Sequence, residues 1–93
     1  MGKQALSVYS RYSQDAVELL SKLIRAGRKE RKLTVQELAE RAGVSRGLIQ
    51  RIEKGDMKCQ IGAYFEVAAI LGIPLFDSDA SSLSRQIAQQ NEK

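Results

Sequence analysis

Apolar residues first recur at helical spacing in the N-terminal third of the chain. Val17, Leu20 and Ile24 follow one another at intervals of three and four residues, which places them on one face of an α-helix. Ser13 precedes this pattern as a candidate N-cap, because a serine side chain can accept a hydrogen bond from a free N–H group of the first turn. The pattern therefore predicts a first helix from Ser13 to about Arg31.

Two shorter helices are predicted in the middle of the chain, each with its own start and stop signals. Thr34 and Glu37 form a T-x-x-E capping box, in which side chains and backbone satisfy one another at a helix start. Gly43 is the expected left-handed residue after this helix. Ser45 then caps the next helix, which Gly55 ends. The predicted inward positions are Leu38, Ala39 and Ala42 in the second helix and Ile49 and Ile52 in the third.

A fourth helix and a short fifth one are predicted in the C-terminal third. Gly72 ends the fourth helix, and Pro74 prevents its continuation. Ser81 or Ser82 is a candidate cap for the last helix. The end of this helix is polar and has few apolar side chains that could pack against the core. The predicted apolar faces are Ile61, Tyr64, Phe65, Ala68 and Leu71 in the fourth helix, and Leu83 and Ile87 in the fifth. No convincing strand-like alternation and no internal repeat occur, so the predicted fold class is all-α with four to five helices.

The chain of 93 residues is long enough for one compact core only. We expect residues 1–12 to form a flexible arm and residues 13–76 to form the folded domain, with the two central helices at 34–54. Residues 77–93 are expected to be an acidic and polar tail.

The charge is distributed unevenly along the chain. The formal net charge is +4, but residues 25–58 contain ten basic side chains against five acidic ones. Residues 59–93 contain two basic side chains against four acidic ones. A basic segment of this kind favours a polyanionic partner such as nucleic acid.

The two central helices fit a helix-turn-helix, in which one helix crosses the DNA backbone and the next enters the major groove. With Ile49 and Ile52 directed inward, the third helix must expose its other face. Arginine matches the acceptors of guanine, glutamine can pair with adenine, and serine can serve several base edges. The residues that this face offers for reading bases are Ser45, Arg46, Gly47, Gln50 and Arg51.

Gly47 is unfavourable in a helix, by roughly 0.5 to 1 kcal/mol relative to alanine. Its lack of a side chain would let the helix backbone approach DNA closely. The alternative for Arg46, Gln50 and Arg51 is an ordinary solvated helix face. Lys54 and Lys58 fit either loose phosphate contacts or solubilising charges.

The stretch LTVQELAERAGVSRGLIQRIEKG at residues 33–55, followed by Leu-Gly-Ile at 71–73, resembles the lambda-repressor-like, or XRE, family of helix-turn-helix proteins. The resemblance covers residues 20–76 and implies a lambda-repressor-like DNA-binding domain. It places Ser45, Arg46, Gly47 and Arg51 at or near the bases.

The resemblance also implies that Arg28 lies near the phosphates and pairs with Glu53 at the end of the recognition helix. Val35 departs from the family pattern, since many members have a phosphate-contacting glutamine there, and Lys32 stands where glycine often ends the first helix. Gln36 and the helix N-terminus can compensate for the first departure. The resulting phosphate candidates are Arg28, Thr34, Gln36, Lys54 and Lys58.

A narrower resemblance links SRGLIQRIEKGDMKC, IGAYFEVAAILGIPLFD and the acidic tail to HipB-type regulators that neighbour HipA-like kinase toxins. It implies a homodimer that binds its own double-stranded operator DNA and also holds a toxin. Leu75 and Phe76, with Tyr64 or Phe65, are candidates for the dimer or partner surface, and a core role explains them equally well.

Three function classes follow from these patterns. The first is a homodimeric, sequence-specific repressor on a palindromic operator, either as an antitoxin or as a phage- or host-type repressor without a toxin. The second is a module that mainly binds protein. The third, an enzyme, is poorly supported, because the chain has no histidine, only the lone Cys59, and no Gly-rich phosphate loop or metal-ligand cluster. We therefore expect no catalytic residue, metal or cofactor.

No apolar run approaches the ~20 residues that a membrane-spanning helix needs. The first ten residues, MGKQALSVYS, lack the apolar core of a signal peptide. We therefore expect no membrane partner and a cytoplasmic location.

Overall fold

A computed structural model describes residues 8–76 and 79–92 of the chain, which form five α-helices and no strand. The expectation of an all-α domain with four to five helices is confirmed. The helices are α1 (Arg11–Glu30), α2 (Val35–Ala42), α3 (Arg46–Glu53), α4 (Ile61–Ile70) and α5 (Ala80–Asn91).

The start of α1 differs from the sequence prediction. Ser10 is the N-cap, and its hydroxyl accepts a hydrogen bond from the backbone N–H of Ser13 at 3.1 Å. The two serines are three residues apart, so the upstream one caps the helix and the downstream one lies inside the first turn. Most of the predicted arm, residues 1–7, lies outside the described residues.

The starts of α2 and α3 agree with their capping signals. Thr34 accepts from the N–H of Glu37 at 3.0 Å, and the Glu37 carboxylate accepts from the N–H of Thr34 at 2.8 Å. Ser45 caps α3 by accepting from the N–H of Leu48 at 3.1 Å. These bonds satisfy donors that would otherwise lack a partner at each helix start.

The first four helices share one way of ending. After each, a residue with positive φ turns the chain, and the next residue donates its N–H back to a carbonyl five positions upstream, as in a Schellman motif. The left-handed residues are Lys32 (φ 59°), Gly43 (69°), Gly55 (78°) and Gly72 (71°). The residues that follow them are Leu33, Val44, Asp56 and Ile73. Three of these four are apolar and pack against the core.

The core joins residues of α1, α2, α3 and α4. The fully buried side chains are Ile24, Leu38, Ile49, Ile52 and Val67. Around them lie further residues of the same cluster, among them Ala39, Tyr64 and Leu71. The cluster fixes α3 through its two isoleucines, so the orientation of α3 is set by burial.

The predicted face of α4 is partly wrong. Ile61 is 72% exposed, whereas Val67, which the prediction omitted, is fully buried. Apolar residues surround nearly the whole of α4, so spacing alone could not identify the buried side.

α5 is capped by Asp79, whose carboxylate accepts from the N–H of Ser81 at 3.2 Å. The prediction of Ser81 or Ser82 as the cap is therefore wrong. Asp79 directly precedes the first helical residue, whereas Ser81 and Ser82 lie inside the first turn, so the aspartate is the residue in position to cap the helix. Ser82 is the buried residue of this helix, and Ile87 is 61% exposed.

Candidate nucleic-acid interface

The helix-turn-helix is formed by α2, a short turn and α3. Gly43 adopts the left-handed conformation that the turn requires, and Val44 packs against the core on the other side of it. Ile49 and Ile52 are completely buried, so the opposite side of α3 faces outward. This side carries the residues predicted to contact the bases.

All five predicted base-reading residues are exposed and lie at the start or along the outer side of α3. They are Ser45, Arg46, Gly47, Gln50 and Arg51. Because a helix turns about 100° per residue, positions 46, 47, 50 and 51 share one side when 49 and 52 face the core. The structure thus brings together two guanidinium groups and one amide on a surface long enough for a few base pairs.

Gly47 has open space where a side chain would be. Apart from the two neighbouring residues and the backbone of α3 itself, a methyl group added there would meet no described atom closer than the Ser45 hydroxyl, at 4.0 Å. The glycine also lacks the positive φ that would require it. Among the described residues, therefore, neither packing nor backbone conformation explains the absence of a side chain.

Four of the five predicted phosphate-binding residues are exposed. Thr34 and Gln36 lie at the start of α2, and Lys54 and Lys58 follow α3. The side chains of two of them already form hydrogen bonds within the chain. The Thr34 hydroxyl accepts the capping bond of α2, and the Gln36 amide donates to the Glu40 carboxylate at 3.1 Å. Their contacts with phosphate remain a prediction.

Arg28 and Glu53 form a bidentate ion pair that joins α1 to the end of α3. Arg28 Nε lies 2.7 Å from Glu53 Oε2, and a terminal nitrogen lies 3.0 Å from Oε1. The other terminal nitrogen donates to the Leu33 carbonyl at 2.9 Å. The side chains are only 12% and 9% exposed, and the bond to Glu53 raises the pKa of Arg28. Arg28 is consequently the least accessible of the phosphate candidates.

The sequence prediction missed an ion pair on the exposed side of α3. Arg51 Nε lies 3.2 Å from Asp56 Oδ2, and the other carboxylate oxygen accepts from the N–H of Lys58 at 2.8 Å. The hydrogen bond from Lys58 is the main reason that the pKa of Asp56 is lowered, and the bond from Arg51 adds to it. An aspartate directly after Gly55, five residues beyond Arg51, was the signal that could have identified this pair.

Leu75 and Phe76 lie at a separate apolar surface. Phe76 is 66% exposed and stacks on Phe65, with ring centroids 5.9 Å apart and an angle of 6° between the rings. Leu75 is 37% exposed. These residues and Leu83 help to line a cavity of about 510 Å³ beside α4. Tyr64, by contrast, is a core residue whose hydroxyl donates to the carbonyl of Asp56.

A reactive thiol, a metal site and a membrane-spanning helix are three further features that the described residues could offer. Cys59 is half-buried, and burial is the main reason that the pKa of its thiol is raised. Within residues 8–76 and 79–92, no three side chains of the metal-binding types come together. The same residues contain no helix long and apolar enough to cross a membrane.

Comparison with known proteins identifies one family. The helix-turn-helix family HTH_3 matches residues 24–77, which include all of α2, α3 and α4. No curated protein and no solved structure matches the chain. Since the matched segment is more than half of the chain and coincides with the elements described above, the protein belongs to the HTH_3 family of XRE-type helix-turn-helix DNA-binding domains.

Proposed function

We propose that this protein is a sequence-specific transcriptional repressor that binds a palindromic operator as a homodimer. The observation that carries the proposal is the outer side of α3. There, exposed arginine and glutamine side chains surround a glycine that no contact among the described residues requires. A face that served only to contact water would gain helix stability from alanine at that position.

In this proposal, α3 lies in the major groove with Gly47 nearest to DNA. Arg46 and Arg51 donate to guanine O6 and N7, and Gln50 pairs with adenine. Ser45, at the helix start, contacts a base edge or the adjoining backbone. The exposed position of all four side chains supports these roles.

Phosphate contacts position the protein without reading sequence. We assign this role to Thr34 and Gln36 at the start of α2, and to Lys54 and Lys58 after α3. Arg28 is assigned mainly to holding α3 through Glu53, because its three nitrogens already donate within the chain.

Replacement of Arg51 by alanine tests the assigned role of α3. Sites bound by the wild-type protein are first selected from random duplex DNA. Arg51→Ala should then weaken binding to the selected site by about 1 to 3 kcal/mol and relax the preference at one base pair. Lys58→Ala serves as the control, because loss of a phosphate contact weakens all sequences alike and flattens the salt dependence. Unchanged affinity and base preference in Arg51→Ala would contradict the proposal.

A HipB-type antitoxin is the specific form of regulator that we propose. The exposed apolar residues Leu75, Phe76 and Ile87 support a protein partner, and the sequence resemblance favours a HipA-like kinase toxin. The alternatives are an XRE repressor without a toxin and a module that mainly binds protein.

Co-expression with the product of the neighbouring gene distinguishes these forms. An antitoxin should co-purify with a kinase-like neighbour, and truncation after Asp77 should abolish the complex while binding to a single operator half-site persists. A repressor without a toxin would bind DNA with nothing attached. A mainly protein-binding module would keep its partner and show no preferred DNA site.

A further inference from the structure

The Schellman motif after α3 differs from the motifs that end α1, α2 and α4. The residue after the left-handed position is apolar in α1, α2 and α4, namely Leu33, Val44 and Ile73. In a Schellman motif this residue usually makes an apolar contact with the last turn of its helix. After α3 the position is occupied by Asp56, whose N–H donates to the Arg51 carbonyl at 3.1 Å.

Asp56 and Arg51 are therefore joined twice, once through the backbone and once through their side chains. The second bond runs from Arg51 Nε to Asp56 Oδ2 at 3.2 Å. An ion pair thus occupies the place of the apolar contact. Because Asp56 stands where the other three motifs have an apolar residue, the end of α3 is linked to the orientation of the Arg51 side chain.

Asp56 is itself held in place from three directions. Its N–H is bonded to α3, and its second carboxylate oxygen accepts from the Lys58 N–H at 2.8 Å. Its carbonyl accepts from the hydroxyl of Tyr64, a residue of α4 that is only 6% exposed. The carboxylate is thus a fixed acceptor, with its position tied to the core.

The guanidinium group of Arg51 has two ends with different surroundings. Nε bonds to the Asp56 carboxylate, whereas no oxygen among residues 8–76 and 79–92 accepts from the terminal nitrogens. The Arg51 side chain also interacts with the thiol of Cys59, which is only a weak acceptor. The Arg51 side chain is 55% exposed, so it is accessible to a ligand. Guanine is read by two parallel donors, which a planar guanidinium presents only when its orientation is restricted.

We infer that Asp56 is a specificity-determining positioning residue, which orients Arg51 so that its terminal nitrogens face a guanine. This inference rests on the proposed DNA-binding function. Asp56 does not touch the base in this arrangement, and its negative charge opposes the approach of phosphates. It therefore lowers binding to all DNA while raising the preference for the correct site.

The test compares Asp56→Asn with wild type on two duplexes, the site selected from random DNA and a scrambled sequence of equal length. Asparagine can still accept from the Lys58 N–H, so the turn is retained, and thermal unfolding followed by circular dichroism checks this. Glu30→Gln is the matched control, because it removes an exposed carboxylate for which no bond to Arg51 exists. Both variants should bind the scrambled duplex at least as well as wild type.

Only Asp56→Asn should lower the ratio of specific to scrambled affinity, by about fivefold or more, as expected for partial loss of one bidentate base contact. In an Arg51→Ala background the same substitution should leave the ratio unchanged, since Asp56 acts through Arg51. A ratio that stays constant or rises in Asp56→Asn would overturn the inference. A rise would mean that Asp56 withholds Arg51 from DNA.

The outcomes also separate this inference from the function on which it rests. If Arg51→Ala relaxes base preference and Asp56→Asn does not, only the positioning role fails. If wild type itself shows no preferred site, the proposed function fails first.

Discussion

Gly47 and Lys32 each occupy a backbone conformation that another residue type would adopt more favourably. Glycine lies within α3, where a side chain would have room, and lysine occupies a left-handed conformation that three glycines occupy elsewhere. Each arrangement lowers stability relative to the preferred residue. At Gly47 the proposed approach of DNA accounts for the cost. Nothing in the structure explains why Lys32 is not glycine.

Gly47→Ala separates folding from DNA binding. The free energy of unfolding should rise by about 0.5 to 1 kcal/mol, because alanine loses less backbone entropy in a helix. Operator affinity should fall by about 1 to 3 kcal/mol, since the methyl group would be forced into a close contact. Urea unfolding and DNA titrations followed by fluorescence anisotropy measure the two effects.

Gly62→Ala is the control for this experiment. Gly62 lies in α4 with open space around it, so the substitution should stabilise the protein without changing DNA binding. If Gly47→Ala binds the operator as tightly as wild type does, the close approach at this residue is wrong.

Lys32→Gly should stabilise the protein by about 1 kcal/mol, because the left-handed conformation at φ 59° strains any residue with a Cβ atom. Lys32→Ala removes the same charge and keeps the Cβ atom, so the difference between the two variants isolates the backbone effect. Denaturant unfolding gives this difference. Equal stability of the glycine and alanine variants would argue against a strained helix end.

At the scale of the helices, local signals determined what the sequence could predict. The caps of α2 and α3 and the glycines that follow them were predicted correctly, because each depends on residues within four positions of one another. The buried side of α4 was predicted in part only, since its apolar residues lie nearly all round. The Arg51–Asp56 pair depends on the path of the chain after Gly55, and the spacing of apolar residues does not predict that path.

The ion pair between α1 and α3 gives a prediction at this scale. Glu53→Gln should lower the free energy of unfolding by about 2 to 4 kcal/mol, because Arg28 then stays largely buried without a counter-charge. Glu18→Gln is the control. It breaks the Lys22–Glu18 pair at 3.7 Å, whose side chains are 71% and 63% exposed, and should cost less than about 1 kcal/mol. Similar losses in the two variants would refute a structural role for the Arg28–Glu53 pair.

The described part of the molecule is less compact than a globular domain of this length. Its Cα radius of gyration is 15.2 Å, against about 12 Å for a compact domain of this size. α5 contributes to the difference, since its twelve residues bury little more than Ser82. A helix of this length is marginal in water without packing partners. Together with the exposed Phe76, this supports the proposed homodimer, in which the α4–α5 surface would be buried against the second copy.

A dimer formed through this surface predicts how the operator is bound. Two copies should contact half-sites about 34 Å apart, one turn of DNA, and the second half-site should raise affinity strongly.

Phe76→Ser removes an exposed ring from the proposed dimer surface, so the variant should sediment as a monomer at concentrations where wild type is a dimer. Its affinity for a two-half-site operator should fall close to its affinity for one half-site. Leu19→Ser, on the exposed side of α1 and 60% exposed, should leave both measurements unchanged. A Phe76→Ser protein that remains dimeric and binds both half-sites cooperatively would place the dimer contact on another surface.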